Sequence, residues 1–379
     1  MHNDKKIIFS INGSISHCGV DEYTLHLDKT LSDSFDLIHI VKPNSDICKN
    51  LIEKNIKWLD LGLSYKDSFT KIKGYCKRLK PDIIFIHTAK EYFLILAIKM
   101  ELPHCKVIFV RHNSFKLSSF PNYFFLKLAD AIVAPSNYCA DVVKNQFPKL
   151  KSKIFVIYNA IESKNSKKNA VEDNEKIEDN ETNEKVENRI TIGFIGRLTY
   201  QKGIELLIDA FKILCKSEEK IDWRLVIAGK FDSNSYQNKI GQKIKESGLS
   251  EKIRFLGFIK EKEKFYDNID ICVIPSLKTV KETFGLVAIE AMYYSKPVVS
   301  ISSGALTEIL SFGPSGCICF QENPECLAET LKLLCENELK KRYIQNSKIL
   351  LEYFFSYSRF KFEYLNLINN LLNNGFNDY

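Results

Sequence analysis

Residues 190–203 read Ile-Thr-Ile-Gly-Phe-Ile-Gly-Arg-Leu-Thr-Tyr-Gln-Lys-Gly, a short apolar run that leads into a loop bracketed by Gly196 and Gly203. An amphipathic segment of helix length begins directly afterwards, at Ile204. A buried strand, a glycine-containing loop and a helix in this order form the first half of a parallel βαβ unit. The stretch therefore predicts an α/β domain built on a parallel sheet.

Short runs rich in Ile, Val and Phe recur between helix-length segments throughout the chain. This rhythm predicts doubly wound parallel sheets, and 379 residues have room for two such domains. In the first half the predicted strands are Lys6–Ile11, Phe35–Val41, Asp82–His87, Val107–Val110, Ala131–Ala134 and Ile154–Ile157. In the second half they are Ile190–Ile195, Trp223–Ala228, Ile253–Leu256, Ile271–Ile274, Pro297–Ile301 and Gly316–Phe320.

These patterns divide the chain into four parts. Residues 1–160 and 189–339 are the two predicted domains. Residues 161–188 are almost entirely Lys, Asn, Glu and Asp, which predicts a charged flexible linker or loop, with a charged surface helix as the alternative. Residues 340–379 have a helical pattern without a further strand, and we expect these C-terminal helices to pack back across both domains.

The composition is that of a soluble globular protein, with 45% hydrophobic and 27% charged residues. The longest apolar run, Tyr92–Ile98, is far shorter than a membrane-spanning helix, and the amino terminus lacks the apolar core of a secretory signal. The 11 cysteines are scattered singly, which predicts reduced, mostly buried thiols. We therefore expect a cytoplasmic protein.

Residues 1–160 carry 23 Lys and Arg against 15 Asp and Glu. A basic domain of this kind indicates nucleic acid, an anionic membrane surface or an anionic substrate, although a solvated lysine-rich surface is more common. No nucleic-acid motif accompanies the charge, so we expect no nucleic-acid partner. Two features within residues 71–127 favour peripheral docking on the inner face of the membrane. The spacing of Lys71, Lys73, Lys77, Arg78 and Lys80 puts several of them on one helical face, and residues 116–127 interleave aromatic residues with Lys116 and Lys127. A solvated face over core aromatics is the nearly equal alternative.

The loop after Ile195 places Arg197 and Lys202 directly before a helix. Two cations beside a helix amino terminus attract a diphosphate, because the helix dipole and both charges act in the same direction. A solvated loop with incidental charges is the alternative.

Further along, Pro275-Ser276 ends another strand and is followed by Glu282-Thr283-Phe284-Gly285-Leu286 and by Glu290. If a helix begins near Phe284 or Gly285, the amides of Phe284, Gly285 and Leu286 are donors of its first turn.

The first domain has weaker signals at the same edge of its sheet. Gly19 lies at the start of the first predicted helix, His87 ends one strand and His112 follows another. A glycine there allows an anion to approach backbone amides. For each histidine alone, a structural role is the alternative.

Together these motifs resemble the retaining glycosyltransferases of family four, the group 1 glycosyltransferases, which have the GT-B fold. The resemblance rests on Gly-Arg-x4-Lys-Gly, Pro-Ser, Glu-x-Phe-Gly-Leu-x3-Glu-Ala, Lys296-Pro297-Val298-Val299 and Gly304-x3-Glu308. It implies two Rossmann-like domains facing a cleft, with the acceptor bound mainly by the first and a UDP- or GDP-sugar by the second. Among the departures from the family pattern, Phe231 and Ser295 stand where the family has glycine.

The resemblance also implies roles for individual residues. Arg197 and Lys202 would bind the donor diphosphate in place of a metal, and Glu282 would face the transferred sugar. Glu290 would bind the ribose. Phe284, Gly285 and Leu286 would contact the sugar or phosphate through their amides, Gly19 would lie beneath the diphosphate and His112 would be near the reacting face of the sugar.

The implied activity is metal-independent, retaining transfer of a sugar to a glycan or lipid-linked acceptor, in cell-surface polysaccharide or lipopolysaccharide biosynthesis. No cofactor is implied beyond the nucleotide-sugar substrate. A nucleotide-sugar epimerase of related fold and a non-catalytic nucleotide-sugar-binding protein are the alternatives. A product assay with donor alone distinguishes the epimerase, and loss of Arg197, Lys202 or one glutamate would indicate the non-catalytic protein.

Overall fold

The computed structural model of the chain describes residues 5–15, 19–117, 119–161, 188–217 and 220–373. It divides into two compact units, residues 1–159 with 357–379, and residues 160–356. Nearly all of the predicted linker lies outside the described residues.

The first unit contains a seven-stranded sheet in which every strand pair is parallel. Its strand order is β3-β2-β1-β4-β5-β6-β7. Its elements are β1 (Ile7–Asn12), α1 (Gly19–Leu31), β2 (Asp36–Val41), α2 (Asp46–Glu53), β3 (Trp58–Asp60), α3 (Tyr65–Leu79), β4 (Ile83–Ile86), α4 (Leu94–Glu101), β5 (Lys106–Val110), α5 (Ser119–Leu128), β6 (Ala131–Ala134), α6 (Asn137–Gln146) and β7 (Ile154–Val156).

The second unit contains a six-stranded sheet, also parallel throughout, in the order β10-β9-β8-β11-β12-β13. Its elements are β8 (Arg189–Ile195), α7 (Ile204–Ser217), β9 (Asp222–Ala228), α8 (Asn234–Ser247), β10 (Ile253–Gly257), α9 (Lys262–Asp267), β11 (Ile271–Ile274), α10 (Leu286–Tyr293), β12 (Val298–Ile301), α11 (Ala305–Ser311), β13 (Gly316–Cys319), α12 (Pro324–Leu333) and α13 (Asn337–Tyr353). The last helix, α14 (Tyr357–Leu372), belongs to the first unit and packs on α1.

The strands form where the sequence is apolar because helices cover both faces of a parallel sheet. All residues of β4, β11 and β12 are buried. Every strand predicted from the sequence is present within one residue at each end. The short strand β3 was not predicted.

Two further expectations can be compared with the structure. Cys319, at the end of β13, is joined to Cys326 in the first turn of α12 by a disulfide bond, with the two Cα atoms 6.0 Å apart. The expectation that all cysteines are reduced is therefore wrong for this pair, because a strand end and the next helix bring them together. Among the described residues, no helix is both long enough and apolar enough to cross a membrane.

Candidate active site

The order of strands in the second sheet reverses between β8 and β11. The chain passes from β8 to its neighbour β9 on one side, and from β11 to its neighbour β12 on the other. In open parallel sheets, ligands bind beyond the carboxyl ends of the strands at this point, where the loops diverge and leave a crevice. Arg197 and Lys202 follow β8, and Ser276 and Glu282 follow β11.

The loop after β8 is held against the loop after β9. Gly229 has φ +146°, and a Cβ atom at this position would lie 1.8 Å from the carbonyl oxygen of Gly196, so only glycine fits. Leu198 is buried, and its N–H donates to the carbonyl of Lys230 at 2.9 Å. Arg197 lies between these anchors with its side chain exposed. Within the described part of the chain, its guanidinium makes no ion pair.

The same loop is also joined to the loop after β11. Gly203 has φ +72°, and a Cβ atom there would lie 2.0 Å from the carbonyl oxygen of Pro275. The N–H of Leu277 donates to the carbonyl of Gln201 at 3.0 Å. Backbone contacts therefore fix Lys202 beside the residues that follow β11.

Lys202 and Glu282 form an ion pair through Nζ and Oε1. Ser276 Oγ donates to the same carboxylate oxygen at 2.8 Å. The side chains of Lys202 and Glu282 are 25% and 15% exposed, so this polar cluster is partly shielded from water while remaining open to a ligand. The structure thus brings together two of the predicted site residues and adds Ser276 to them.

A third strand fixes the backbone of Glu282. The N–H of Ala305, which begins the helix after β12, donates to the carbonyl of Glu282 at 2.7 Å. A Cβ atom on Gly304, whose φ is +55°, would lie 2.2 Å from that carbonyl oxygen. Loops from β8, β11 and β12 therefore converge on Glu282 and its neighbours.

Helix α10 begins at Leu286, and Gly285 precedes it with φ +90°. This agrees with the prediction that a helix starts near Phe284 or Gly285. The side chain of Phe284 is buried, with its ring centroid 5.8 Å from that of Phe355. The Phe284 side chain is therefore a packing group, and any ligand contact of this residue must come from its backbone.

Glu290 projects from α10 to a different set of partners. Lys262 Nζ lies 2.5 Å from Oε1, and the hydroxyl of Tyr266 donates to Oε2 at 3.2 Å. Tyr266 is buried and stacks on Tyr294, with ring centroids 4.7 Å apart. Burial, reinforced by the charge of Glu290, raises the pKa of Tyr266, so the phenol stays protonated and continues to donate. Both oxygens of Glu290 are thus oriented by neighbours from α9.

The sequence analysis placed Ser276 and Gly304 in motifs but gave them no role toward Glu282, and it did not single out Lys262 or Tyr266. The role of Ser276 could have been inferred, because it lies directly at the carboxyl end of β11, where the ligand-edge rule applies. Lys262 and Tyr266 have no comparable signal. They lie on a short helix, and only the tertiary fold brings them to Glu290.

In the first unit the corresponding reversal lies between β1 and β4. Gly19 is the exposed first residue of α1, as predicted. His87 directly follows β4, and His112 lies two residues after β5. His87 Nδ1 is 3.3 Å from His112 Nε2, and His87 Nε2 is 3.1 Å from Ser10 Oγ. The two histidines therefore form a hydrogen-bonded pair rather than two separate groups.

Burial keeps both imidazoles neutral. It lowers the pKa of His112 to about 3, with a further contribution from the charge of Arg111. Burial also lowers the pKa of His87, and the neighbouring His112 adds to this effect. Arg111 is itself buried, and its Nη2 donates to the carbonyls of Asn113 and Phe115 at 2.8 and 2.9 Å. It therefore fixes the loop that carries His112.

Over the described ranges, no group of three or more His, Cys, Asp or Glu residues is arranged to hold a metal ion. Arg197 and Lys202 place two cationic groups in the loop beside the sheet reversal of the second unit. Such a site is suited to a ligand that carries negative charge and hydroxyl groups, since carboxylates at Glu282 and Glu290 accept hydrogen bonds from hydroxyls.

Comparisons with known proteins agree with this geometry. The family model "Glycosyl transferases group 1" matches residues 175–349, and "Glycosyltransferase Family 4" matches residues 46–165. An uncharacterized glycosyltransferase of Methanocaldococcus jannaschii is 30% identical over 357 residues, covering 88% of this chain and 91% of that protein. The lipopolysaccharide 1,2-N-acetylglucosaminetransferase of Salmonella typhimurium is 26% identical over 80% of this chain and 74% of its own length.

Among solved structures, Anabaena HepE in complex with UDP-glucose superposes with a TM-score of 0.79 at 18% identity, covering 96% of this chain and 99% of that one. This likeness shows a shared fold and confirms the predicted fold class of two parallel-sheet α/β domains of the GT-B type. The match to the M. jannaschii protein over 88% of this chain, together with the two family models, shows that the chain belongs to the group 1 glycosyltransferases of glycosyltransferase family 4.

Proposed function

We propose that this chain is a retaining, metal-independent glycosyltransferase that moves a sugar from a UDP- or GDP-sugar to a hydroxyl of a glycan or lipid-linked acceptor. The observation that carries the proposal is the polar cluster of Lys202, Ser276 and Glu282 at the reversal point of the second sheet, with Arg197 on the same loop as Lys202. Two cations and a hydrogen-bonded carboxylate suit a sugar diphosphate, in which an anion adjoins a ring of hydroxyls.

The charges of the site match the charge that develops in the reaction. Breaking the bond between the anomeric carbon and the phosphate oxygen leaves negative charge on the diphosphate and positive charge on the sugar. Arg197 and Lys202 stabilise the leaving diphosphate, and this stabilisation strengthens as the bond lengthens. Glu282 accepts hydrogen bonds from sugar hydroxyls and, through its ion pair, holds Lys202 in place.

Transfer then takes place on one face of the sugar, so the anomeric configuration is retained. The acceptor oxygen bonds to the anomeric carbon on the face that the diphosphate leaves, and the acceptor proton passes to the departing phosphate oxygen. All atoms are accounted for without an enzymatic nucleophile. His112 donates or accepts a hydrogen bond at a sugar hydroxyl, and Gly19 leaves room for the diphosphate beside the backbone of α1.

Glu290 binds the ribose of the donor. Its oxygens are already oriented by Lys262 and Tyr266, so it is preorganised to accept hydrogen bonds from two adjacent hydroxyls. The amides of Phe284, Gly285 and Leu286 lie at the start of α10. The N–H groups at a helix amino terminus donate hydrogen bonds to phosphate or sugar oxygens.

The acceptor is a glycan or a lipid-linked saccharide of cell-surface polysaccharide or lipopolysaccharide biosynthesis. The Salmonella typhimurium relative acts in lipopolysaccharide synthesis by its name, and the first unit is basic. An anionic lipid-linked acceptor at a membrane surface suits that charge.

A screen of nucleotide sugars tests the proposal. The correct donor should raise the melting temperature, because a ligand at 100 times its Kd adds about 2.7 kcal/mol to the free energy of unfolding. With that donor and a mixture of glycan acceptors, nucleoside diphosphate should be released and the product should keep the anomeric configuration. An epimerised nucleotide sugar from donor alone would identify an epimerase, and stabilisation without turnover would identify a binding protein.

A further inference from the structure

The two cations of the candidate active site are held in different ways. Lys202 is oriented by its ion pair with Glu282. The side chain of Arg197 is exposed, and no carboxylate of the described chain pairs with it. The position of its guanidinium therefore depends on how firmly the backbone of the loop after β8 is fixed.

The segment after β9 holds this backbone on both sides of Leu198. Leu198 and Phe231 pair as an isolated parallel β-bridge. The N–H of Leu198 donates to the carbonyl of Lys230 at 2.9 Å, and the N–H of Asp232 donates to the carbonyl of Leu198 at 3.2 Å. Because Arg197 directly precedes the bridged residue, a movement of residues 230–232 would shift its backbone.

Phe231 anchors this segment through its side chain. Its ring centroid lies 5.7 Å from that of Phe255 on β10 and 6.2 Å from that of Tyr236 in the first turn of α8. The side chain also packs against the core of the second unit. Aromatic rings at such distances attract each other in addition to the apolar area that they bury. The segment after β9 is thus tied to two further elements by a side chain as well as to Leu198 by its backbone.

The family pattern has glycine where this chain has Phe231. A glycine has no side chain to anchor the segment, and it has more backbone freedom than any other residue. A loop that is already fixed in its binding geometry loses less conformational entropy when the ligand arrives. Phenylalanine at this position therefore restricts the loop that carries Arg197 more than glycine would.

We propose that Phe231 is a positioning residue for Arg197: its ring fixes the segment after β9, and this segment fixes the backbone from which Arg197 reaches the diphosphate of the nucleotide sugar. The inference rests on the proposed function through the role of Arg197. The anchor itself is a property of the free protein, so it is tested without a ligand and without turnover.

Hydrogen exchange of the free protein tests the anchor. The amides of Leu198 and Asp232 should exchange on the order of tenfold faster in Phe231→Gly than in the wild type, because their hydrogen bonds open once the segment is released. Phe231→Leu keeps an apolar side chain and should stay within about twofold of the wild type. The control Ile244→Ala removes a buried side chain near the other end of α8 and should leave both amides unchanged. Unchanged exchange in Phe231→Gly would overturn the inference.

Nucleotide affinities test whether the anchor acts through Arg197. UDP and UMP, and likewise GDP and GMP, differ by the terminal phosphate, which carries the charge that Arg197 is proposed to stabilise. By calorimetry, Phe231→Gly should weaken binding of the diphosphate about five- to tenfold and that of the monophosphate less than about twofold. Phe231→Leu and Ile244→Ala should keep the wild-type ratio. In an Arg197→Ala background, Phe231→Gly should change diphosphate affinity less than about twofold, because no guanidinium is left to position.

The outcomes separate this inference from the proposed function. Equal losses of diphosphate and monophosphate affinity, or equal losses with and without Arg197, would overturn the positioning role and show a general effect on the second unit. A wild type that binds the diphosphates no better than the monophosphates would contradict the proposed role of Arg197, and with it the positioning role. The exchange rates would still decide whether Phe231 anchors the loop.

Discussion

Lys202 and Glu282 lie 80 positions apart in the sequence and form an ion pair at the reversal point of the second sheet. Ser276 donates a hydrogen bond to the same oxygen of Glu282. This bond orients the carboxylate, and the carboxylate in turn holds the ammonium group of Lys202 in position. An anionic ligand that approaches Lys202 would share this ammonium with Glu282. The pair thus places a positive and a negative group side by side, as the proposed binding of a sugar diphosphate requires.

Replacing Lys202 or Arg197 by Ala should lower turnover by about 10²- to 10³-fold, because each removes a charge that stabilises the leaving diphosphate. The matched control is Lys239→Ala, which removes a lysine of the same unit that pairs with Glu205 and lies over the ring of Tyr200. Nucleoside diphosphate release checks the effect, and circular dichroism checks the fold. Wild-type rates in both site variants would show that these cations do not act on the diphosphate.

Tyr266→Phe should weaken binding of free UDP or GDP by about five- to tenfold, since one hydrogen bond that orients Glu290 is lost. Glu290→Ala should weaken it further, because the proposed ribose acceptor itself is gone. Tyr294→Phe is the control: it removes the hydroxyl of the stacked neighbour and leaves the Tyr266–Glu290 contact in place. Isothermal titration calorimetry measures all three. Equal affinity for nucleotide in Glu290→Ala and the wild type would exclude the ribose role.

The sequence was sufficient for every strand of the two sheets except β3, and for the residues that follow those strands. Apolar runs such as Ile271–Ile274 are buried on both faces, so composition alone locates them. The strand β3, Trp58–Asp60, was not predicted. Its three residues lie at an edge of the sheet, are only partly buried and do not form a distinct apolar run. The partners of Glu290 were not predicted for another reason. Lys262 and Tyr266 are 28 and 24 positions away from it in the sequence, and no local pattern indicates contacts over such a separation.

The basic residues between Lys71 and Lys80 show the same limit. Their spacing predicts that several of them share one helical face, but not that some are already paired. Lys71 contacts Asp60 and Asp67 at 2.7 and 3.1 Å, and Lys73 contacts Glu101 at 3.2 Å. Ser295, which stands where the family pattern has glycine, has φ +58°, in the left-handed region that favours glycine.

Gly304→Ala should destabilise the second unit and lower turnover together. A Cβ atom there would lie 2.2 Å from the carbonyl oxygen of Glu282, and φ is already +55°, so the loop must move. We expect a loss of about 2 kcal/mol or more in the free energy of unfolding. Gly241→Ala is the matched control, because a Cβ at this position in α8 meets no atom within 4 Å. That variant should gain up to about 1 kcal/mol. Urea unfolding compares the two, and an unchanged midpoint for Gly304→Ala would contradict the contact.

Transfer should continue at full rate in excess chelator. If Arg197 and Lys202 neutralise the diphosphate, no divalent ion is needed to stabilise the leaving group. The measurement is product formation after exhaustive treatment with EDTA, with and without added Mg²⁺ or Mn²⁺. A rate abolished by chelator and restored by either metal would contradict the metal-independent mechanism.

The first unit should bind anionic membranes through residues 71–127. Lys77, Arg78 and Lys80 are exposed on or beside α3, and Phe120 is 79% exposed at the start of α5. Among the other aromatic residues of α5, Phe124 is also exposed, whereas Tyr123 and Phe125 pack on the core. Only part of the predicted aromatic surface can therefore contact a membrane. Each free basic residue near an anionic bilayer adds about 1 kcal/mol of attraction.

Co-sedimentation with vesicles of phosphatidylglycerol and phosphatidylcholine tests this docking. Binding should increase with the anionic lipid, weaken in salt, and decrease by about tenfold or more in Lys77→Glu/Lys80→Glu, since both charges are reversed. Phe120→Ser should weaken it without changing the salt dependence. The control Lys149→Glu/Lys151→Glu makes the same charge change at exposed lysines outside residues 71–127 and should bind like the wild type. Equal pelleting with neutral and anionic vesicles, or none with either, would leave a soluble glycan as the acceptor, because the basic charge would then have no membrane to recognise.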